Sequence, residues 1–164
     1  MINPRQFLIY VVRPTLVHLK LHSSSAEHLL MGTIAHESKM GEYLNQIQGP
    51  ALGVVQMEAA THDDIWHSYL AFRPNLRAKV MDFVPPWAIE GREIPDALLL
   101  RSSLEYAVTM ARVHYYRVVH PLPSIKPGDL ASYWKRFYNT QYGKGTEAQF
   151  TEAYASIYDV WEDD

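Results

Sequence analysis

Glu37 has the setting in this sequence best suited to proton chemistry. It follows an apolar run, Leu29-Leu30-Met31-Gly32-Thr33-Ile34-Ala35, and precedes a stretch punctuated by Gly41, Gly49, Pro50 and Gly53. A helix through the apolar run leaves Glu37 at its C-terminal end, where a negative charge opposes the helix dipole by roughly 0.3–1 kcal/mol. A carboxyl group among apolar neighbours in that position should have a raised pKa, as a general acid at neutral pH requires. The plainer alternative is a solvated glutamate at a helix end.

Other chemistries have less support. The chain contains no cysteine, which excludes disulfides, thiolate zinc sites and cysteine nucleophiles. Of the eight histidines, His36 begins H-E-x-x-H with Glu37, but Met40 stands where the second histidine is needed. His62 and His67 are five apart and fall on different helix faces, and His114 and His120 straddle a helix end. No metal site is expected. There is no G-x-S-x-G elbow, no phosphate loop and no G-x-G-x-x-G stretch, so neither a serine nucleophile nor a nucleotide cofactor is implied.

The elements that would position Glu37 follow from punctuation and periodicity. The 164 residues suit one domain, and 48% hydrophobic content can bury a core. Apolar spacing from Pro4 to Leu21 fits a helical face, with Pro14 a kink or a break. Ser23-Ser24-Ser25 offers N-caps for a helix through Ala26 and Ile34 to about Glu37. Residues 39–60 read as irregular backbone or a small hairpin. Thr61 caps a helix carrying Ile65, Trp66, Tyr69 and Leu70, and a Pro- and Gly-rich linker covers Phe83 to Pro95. Asp96 to Val119 lacks Gly and Pro and reads as one long helix, with small residues Ser103, Ala107 and Ala111 on its stripe. Asp129 opens a helix through Tyr133, Trp134 and Phe137. Gly143 to Gly145 form a turn, and Thr146 caps a last helix from Glu147 to about Trp161. The fold class is mainly α, one domain over 1–164, with an N-terminal helical segment 1–22 packed on a core 23–164.

Fifteen Lys plus Arg against eighteen Asp plus Glu give a net charge of −3, no broad footprint for nucleic acid. The apolar stretch Phe7 to Val12 is far short of the ~20 residues that span a bilayer, and no cleavage site follows it. Neither a signal peptide nor membrane insertion is expected.

Three motifs, in order, carry a resemblance. They are His36-Glu37-Ser38, then Gly49-Pro50-Ala51-Leu52-Gly53-Val54-Val55-Gln56-Met57 with Thr61 after it, and finally Tyr138-Asn139-Thr140 before Gly143 and Gly145. Together they resemble the signature of soluble lytic transglycosylases and goose-type lysozymes, over residues 26 to about 154. Compact, cysteine-free forms are typical of phage-borne members. The sequence departs from the pattern in a longer loop between Glu37 and Gln56, in Pro50, in Val54-Val55, and in the missing Asn-containing element near Ala107.

The resemblance implies an α+β lysozyme-like fold without cofactors. It implies cleavage of the β-1,4 bond between N-acetylmuramic acid and N-acetylglucosamine in peptidoglycan, with Glu37 as catalytic acid and base. Ser38 would bond the glutamate or the glycan, Gln56 would position an N-acetyl group or hydroxyl, and Tyr138 would lie against the carboxylate. Met57 and Asn139 complete the implied substrate-binding set. Glu42, Glu58, Asp63 and Asp64 are the candidates for a second, hydrolytic carboxylate; no second acid is expected to act. The alternatives are a hydrolytic muramidase, a glycan-binding virion or envelope protein without activity, and a helical adaptor. Virion or tail components are further partners that this reading suggests, with action at the cell wall.

Overall fold

Asn3 begins the first helix, its side chain accepting from Gln6 N–H at 3.0 Å. The computed structural model describes residues 1–162. Helix α1 (Pro4–Phe7) runs through a π-turn (Leu8–Val12) directly into α2 (Arg13–His18), and Arg13 N–H donates to Leu8 O. Pro14 therefore causes no break. A proline has no N–H and crowds the carbonyl four residues back, and the wider π-turn just before it relieves both constraints. Phe7, Leu8, Val12 and Leu16 from this segment are fully buried in the common core, and it packs on α3 (Ser24–Ser38) and α8 (Leu104–Tyr116).

Helix α3 forms as the sequence predicts. Ser23 caps it, accepting from Ala26 N–H at 3.1 Å. It is buried nearly all round, from Ala26 to Ala35, as its almost uninterrupted apolar sequence requires. Gly32 lets α10 (Glu147–Ala155) approach, because a Cβ there would stand 2.5 Å from Phe150 Cζ.

The 39–60 region is a hairpin of β1 (Ala51–Leu52) and β2 (Met57–Glu58), antiparallel with Ala51 opposite Glu58 and Leu52 opposite Met57. Helix α4 (Ala59–Ser68) starts three residues earlier than expected, so Thr61 lies inside its first turn and Glu58 holds the cap position. After α5 (Pro74–Met81), the Pro-rich stretch contains a further helical turn, α6 (Pro86–Ile89).

The long helix expected over 96–119 is two helices. Short α7 (Leu99–Ser102) ends where Ser103 turns extended, φ −126° and ψ 116°, and Ser103 then caps α8 by accepting from Tyr106 N–H at 3.2 Å. A serine on an apolar stripe serves equally as a cap, and here the cap wins. Helix α9 (Pro127–Trp134) starts at its proline and loosens into a π-turn (Lys135–Asn139). Helix α10 has the full capping box of Thr146 and Gln149 but ends at Ala155, with a 3₁₀ turn at Tyr158–Trp161 beyond it. The described residues form a single, mainly helical domain with a small two-stranded antiparallel sheet.

Candidate active site

Glu37 sits one residue before the end of α3, where the chain reverses abruptly. Lys39, Met40 and Gly41 have φ of 49°, 56° and 78°, three successive left-handed residues of which two carry side chains, at a cost of roughly 1–2 kcal/mol each. Ser38 holds this reversal. Its Oγ donates to Ile34 O at 3.1 Å and accepts from Gly41 N–H at 2.9 Å, and the residue is fully buried. Ser38 therefore bonds neither the glutamate nor the cleft, contrary to the expected contact. It fixes the backbone that carries Glu37.

The carboxyl group opens into a cleft of about 730 Å³ whose walls come from α3, the hairpin, α4, α8 and the 138–145 loop. Trp134 Nε1 donates to Glu37 Oε1 at 3.0 Å. Trp134 is itself locked, stacked on Phe150 at 5.2 Å and edge-on to His36 at 4.4 Å. Burial pushes the Glu37 pKa up to about 7, and the indole N–H, which favours the ionised form, holds it from rising further. Trp134→Phe removes the donor, so the Glu37 titration should move upward by about 0.5–1 pH unit, followed by the carboxyl carbon shift against pH. A downward or absent shift would show that the indole does not act on the carboxylate.

Gln56, Met57, Tyr138 and Asn139 line this cleft together with Glu37. Gln56, at φ 46°, donates through Nε2 to Gly53 O at 2.8 Å and Tyr43 O at 3.4 Å. It stitches the hairpin turn while facing the cleft. Tyr138 OH donates to Val55 O at 2.7 Å, which ties the π-turn after α9 to the hairpin. Burial and the nearby Glu37 charge push its phenol pKa far up, so it remains a neutral wall. The group hydrogen-bonded to the carboxylate is Trp134, while Tyr138, expected to lie against it, shares the cleft wall and is close enough to feel its charge. Asn139 Oδ1 accepts from Lys135 Nζ at 2.6 Å, and the same ammonium donates to Gly143 O and Gly145 O at 3.0 and 2.8 Å. One lysine thus shapes the loop closing this end of the cleft.

Trp134, bonded to Glu37, and His114, on the cleft wall, are candidate-site residues that the sequence motifs do not mark. Trp134 precedes Tyr138 by four residues, and that spacing shares a helical face. His114 ends the buried stripe of α8, edge-on to Tyr138 at 5.2 Å. Burial, assisted by Arg117, lowers its pKa to about 4, so it is neutral at pH 7.

Of the other candidate acids, Glu58 alone lines the cleft among the described residues, exposed at the end of β2. Asp63 accepts from His62 Nδ1 at 2.8 Å, and Asp64 from Arg117 Nη1 at 2.6 Å and Ser68 Oγ at 2.8 Å.

No protein family, curated protein or solved structure compared with this chain matches it. What the arrangement can do is therefore read from its geometry. It presents one buried carboxyl group with its pKa raised to about 7, in an open cleft lined also by Glu58, Lys144 and polar side chains able to give and accept hydrogen bonds.

Proposed function

We propose that the protein is a peptidoglycan lytic transglycosylase, cleaving the β-1,4 bond between N-acetylmuramic acid and N-acetylglucosamine with Glu37 as its single acid and base. The observation that carries this reading is the Glu37 carboxyl, its pKa raised to about 7 by burial at the wall of an open cleft of about 730 Å³. The motif resemblance adds the substrate class. Protonated Glu37 gives its proton to the glycosidic oxygen as the C1–O bond breaks and the sugar becomes oxocarbenium-like. The resulting carboxylate takes the proton of the muramic C6 hydroxyl as O6 bonds C1. The 1,6-anhydro ring closes, Glu37 is again neutral, and no water is consumed. Trp134 N–H supports the charged stage. Gln56, Tyr43, Tyr138 and Tyr142 line the cleft where sugars would lie.

A second reading rests on Glu58, the other carboxylate on the cleft wall. A hydrolase would use it to hold a water or to attack C1. Under the single-acid reading, Glu58→Gln, Asp63→Asn and Asp64→Asn keep near-wild-type turnover, measured as soluble muropeptide released from purified sacculi. A loss of ~10²-fold or more in Glu58→Gln would move the assignment to the hydrolase. Binding to sacculi with no clearing of a peptidoglycan gel would make the protein a glycan-binding module, and no binding would remove the glycan altogether.

A further inference from the structure

Among the described residues, Glu27 and Arg112 are the charged side chains that are buried, and they are treated oppositely. Glu27, 4% exposed, accepts from Arg13 at 2.7 and 3.2 Å, lies 2.8 Å from His22 Nε2 and receives Trp161 Nε1 at 3.4 Å. Arg112, 5% exposed, has no such company. Its Nε donates to Leu21 O at 3.1 Å. Nη1 is enclosed and has no acceptor, and among the described residues no carboxylate pairs with the guanidinium. Its flat side lies 5.4 Å from the Tyr116 ring centre. A buried cation is costly unless an anion compensates it.

Arg112 forms part of the wall of a 250 Å³ cavity separate from the Glu37 cleft, lined also by Tyr115, Tyr116, His120, Leu122 and Tyr133. Among the described residues, no Asp or Glu contributes to that lining. The phenols of two wall residues are committed elsewhere, Tyr133 OH to His120 O at 3.1 Å and Tyr115 OH to Thr33 Oγ1 at 2.8 Å. What they offer the cavity is ring surface. Arg136, 3.5 Å from Nε2 of the wall residue His120, places a second positive charge behind that wall.

We propose that Arg112 and this cavity bind a small carboxylate carried on an apolar body. Nη2, the one guanidinium nitrogen neither bonded to Leu21 O nor enclosed, can give a charge-assisted hydrogen bond to a carboxylate oxygen, one buried cation matches one negative charge, and aliphatic and aromatic walls match a short apolar chain. The volume is just below the ~300–1,000 Å³ of pockets for drug-sized ligands, which suits a smaller molecule. Such a carboxylate comes either as a free organic acid or as the C-terminus of a peptide. Nothing in this site depends on what Glu37 does.

The test compares isobutyrate with isobutyramide, the same shape with and without the charge, on the full chain at constant ionic strength. Isobutyrate should raise the melting temperature in a saturable way and isobutyramide should not. Arg112→Met should weaken isobutyrate binding at least tenfold. N-acetylalanine binding tighter than isobutyrate assigns the site to a peptide C-terminus, and the reverse order to a free acid. Where Arg112→Met does not fold, the wild-type Arg112 Nε–H resonance decides, since it should move with isobutyrate and stay with isobutyramide. Equal effects of the acid and the amide, or equal protection by inorganic phosphate, would overturn the proposal.

Discussion

Glu37→Gln should fold as the wild type does and release soluble muropeptides from sacculi about 10²–10⁴-fold more slowly, the loss that removal of a general acid brings. The amide keeps the size of the side chain and an acceptor oxygen for Trp134 Nε1, now 3.0 Å from Glu37 Oε1, so packing gives no reason for a fold defect. Stability should change with pH in a specific way. The Glu37 pKa is about 7 in the folded protein against 4.5 as its ordinary value, so between these pH values the folded chain holds a proton that the unfolded chain has lost. Wild-type stability contributed by this group is full below about pH 4.5 and is lost as pH rises through 7. Glutamine has no such dependence. The variant should match the wild type at pH 4 and exceed it at pH 8 by up to about 3 kcal/mol, each tenfold difference in proton affinity being worth ~1.4 kcal/mol. Urea unfolding at both pH values reads this directly. A parallel offset at the two pH values would mean that the carboxyl is not held neutral by burial.

Gly53→Ala should be the most damaging single methyl in the cleft region. Gly53 has φ +73°, and a Cβ there would stand 2.1 Å from the backbone oxygen of Leu100. Its N–H donates to Leu44 O at 2.9 Å and its carbonyl accepts from Gln56 N–H at 3.0 Å and Gln56 Nε2 at 2.8 Å. Accommodating the methyl must therefore move either α7 or the hairpin turn that carries Gln56. The left-handed backbone costs roughly 1–2 kcal/mol for an L side chain, and overpacking typically adds about 1–3. A midpoint near 3 kcal/mol corresponds to a fall in melting temperature of about 10 °C in a domain of this size. A fall of less than about 2 °C would show that the hairpin does not pack against Leu100 as described.

How much of this was legible depended on the kind of signal. Helix α3 was legible from both ends, because Ser23 is a strong cap and the apolar run allows only a buried helix. Its terminal carboxylate followed from the same reading. The break at Ser103 was not, since serine fits both an apolar stripe and a cap, and only tertiary packing chooses. Pro14 announced a disturbance but not its form, a π-turn that keeps the helix running. The reversal after Glu37 was invisible because Lys39 and Met40 adopt left-handed backbone without being Gly or Asn. That hidden geometry is why Ser38, expected in the site, is used up in the backbone. Trp134 was one of four tryptophans with no local mark, and its i, i+4 relation to Tyr138 becomes informative only once Tyr138 is placed at the cleft.

The central claim is that one glutamate cleaves glycan without water, and the mass of the products tests it most directly. Purified sacculi digested by the wild type should yield muropeptides ending in 1,6-anhydromuramic acid, one water lighter than reducing-end products, and Glu37→Gln should yield essentially none. Reducing-end products from the wild type, or undiminished anhydro products from Glu37→Gln, would contradict the account.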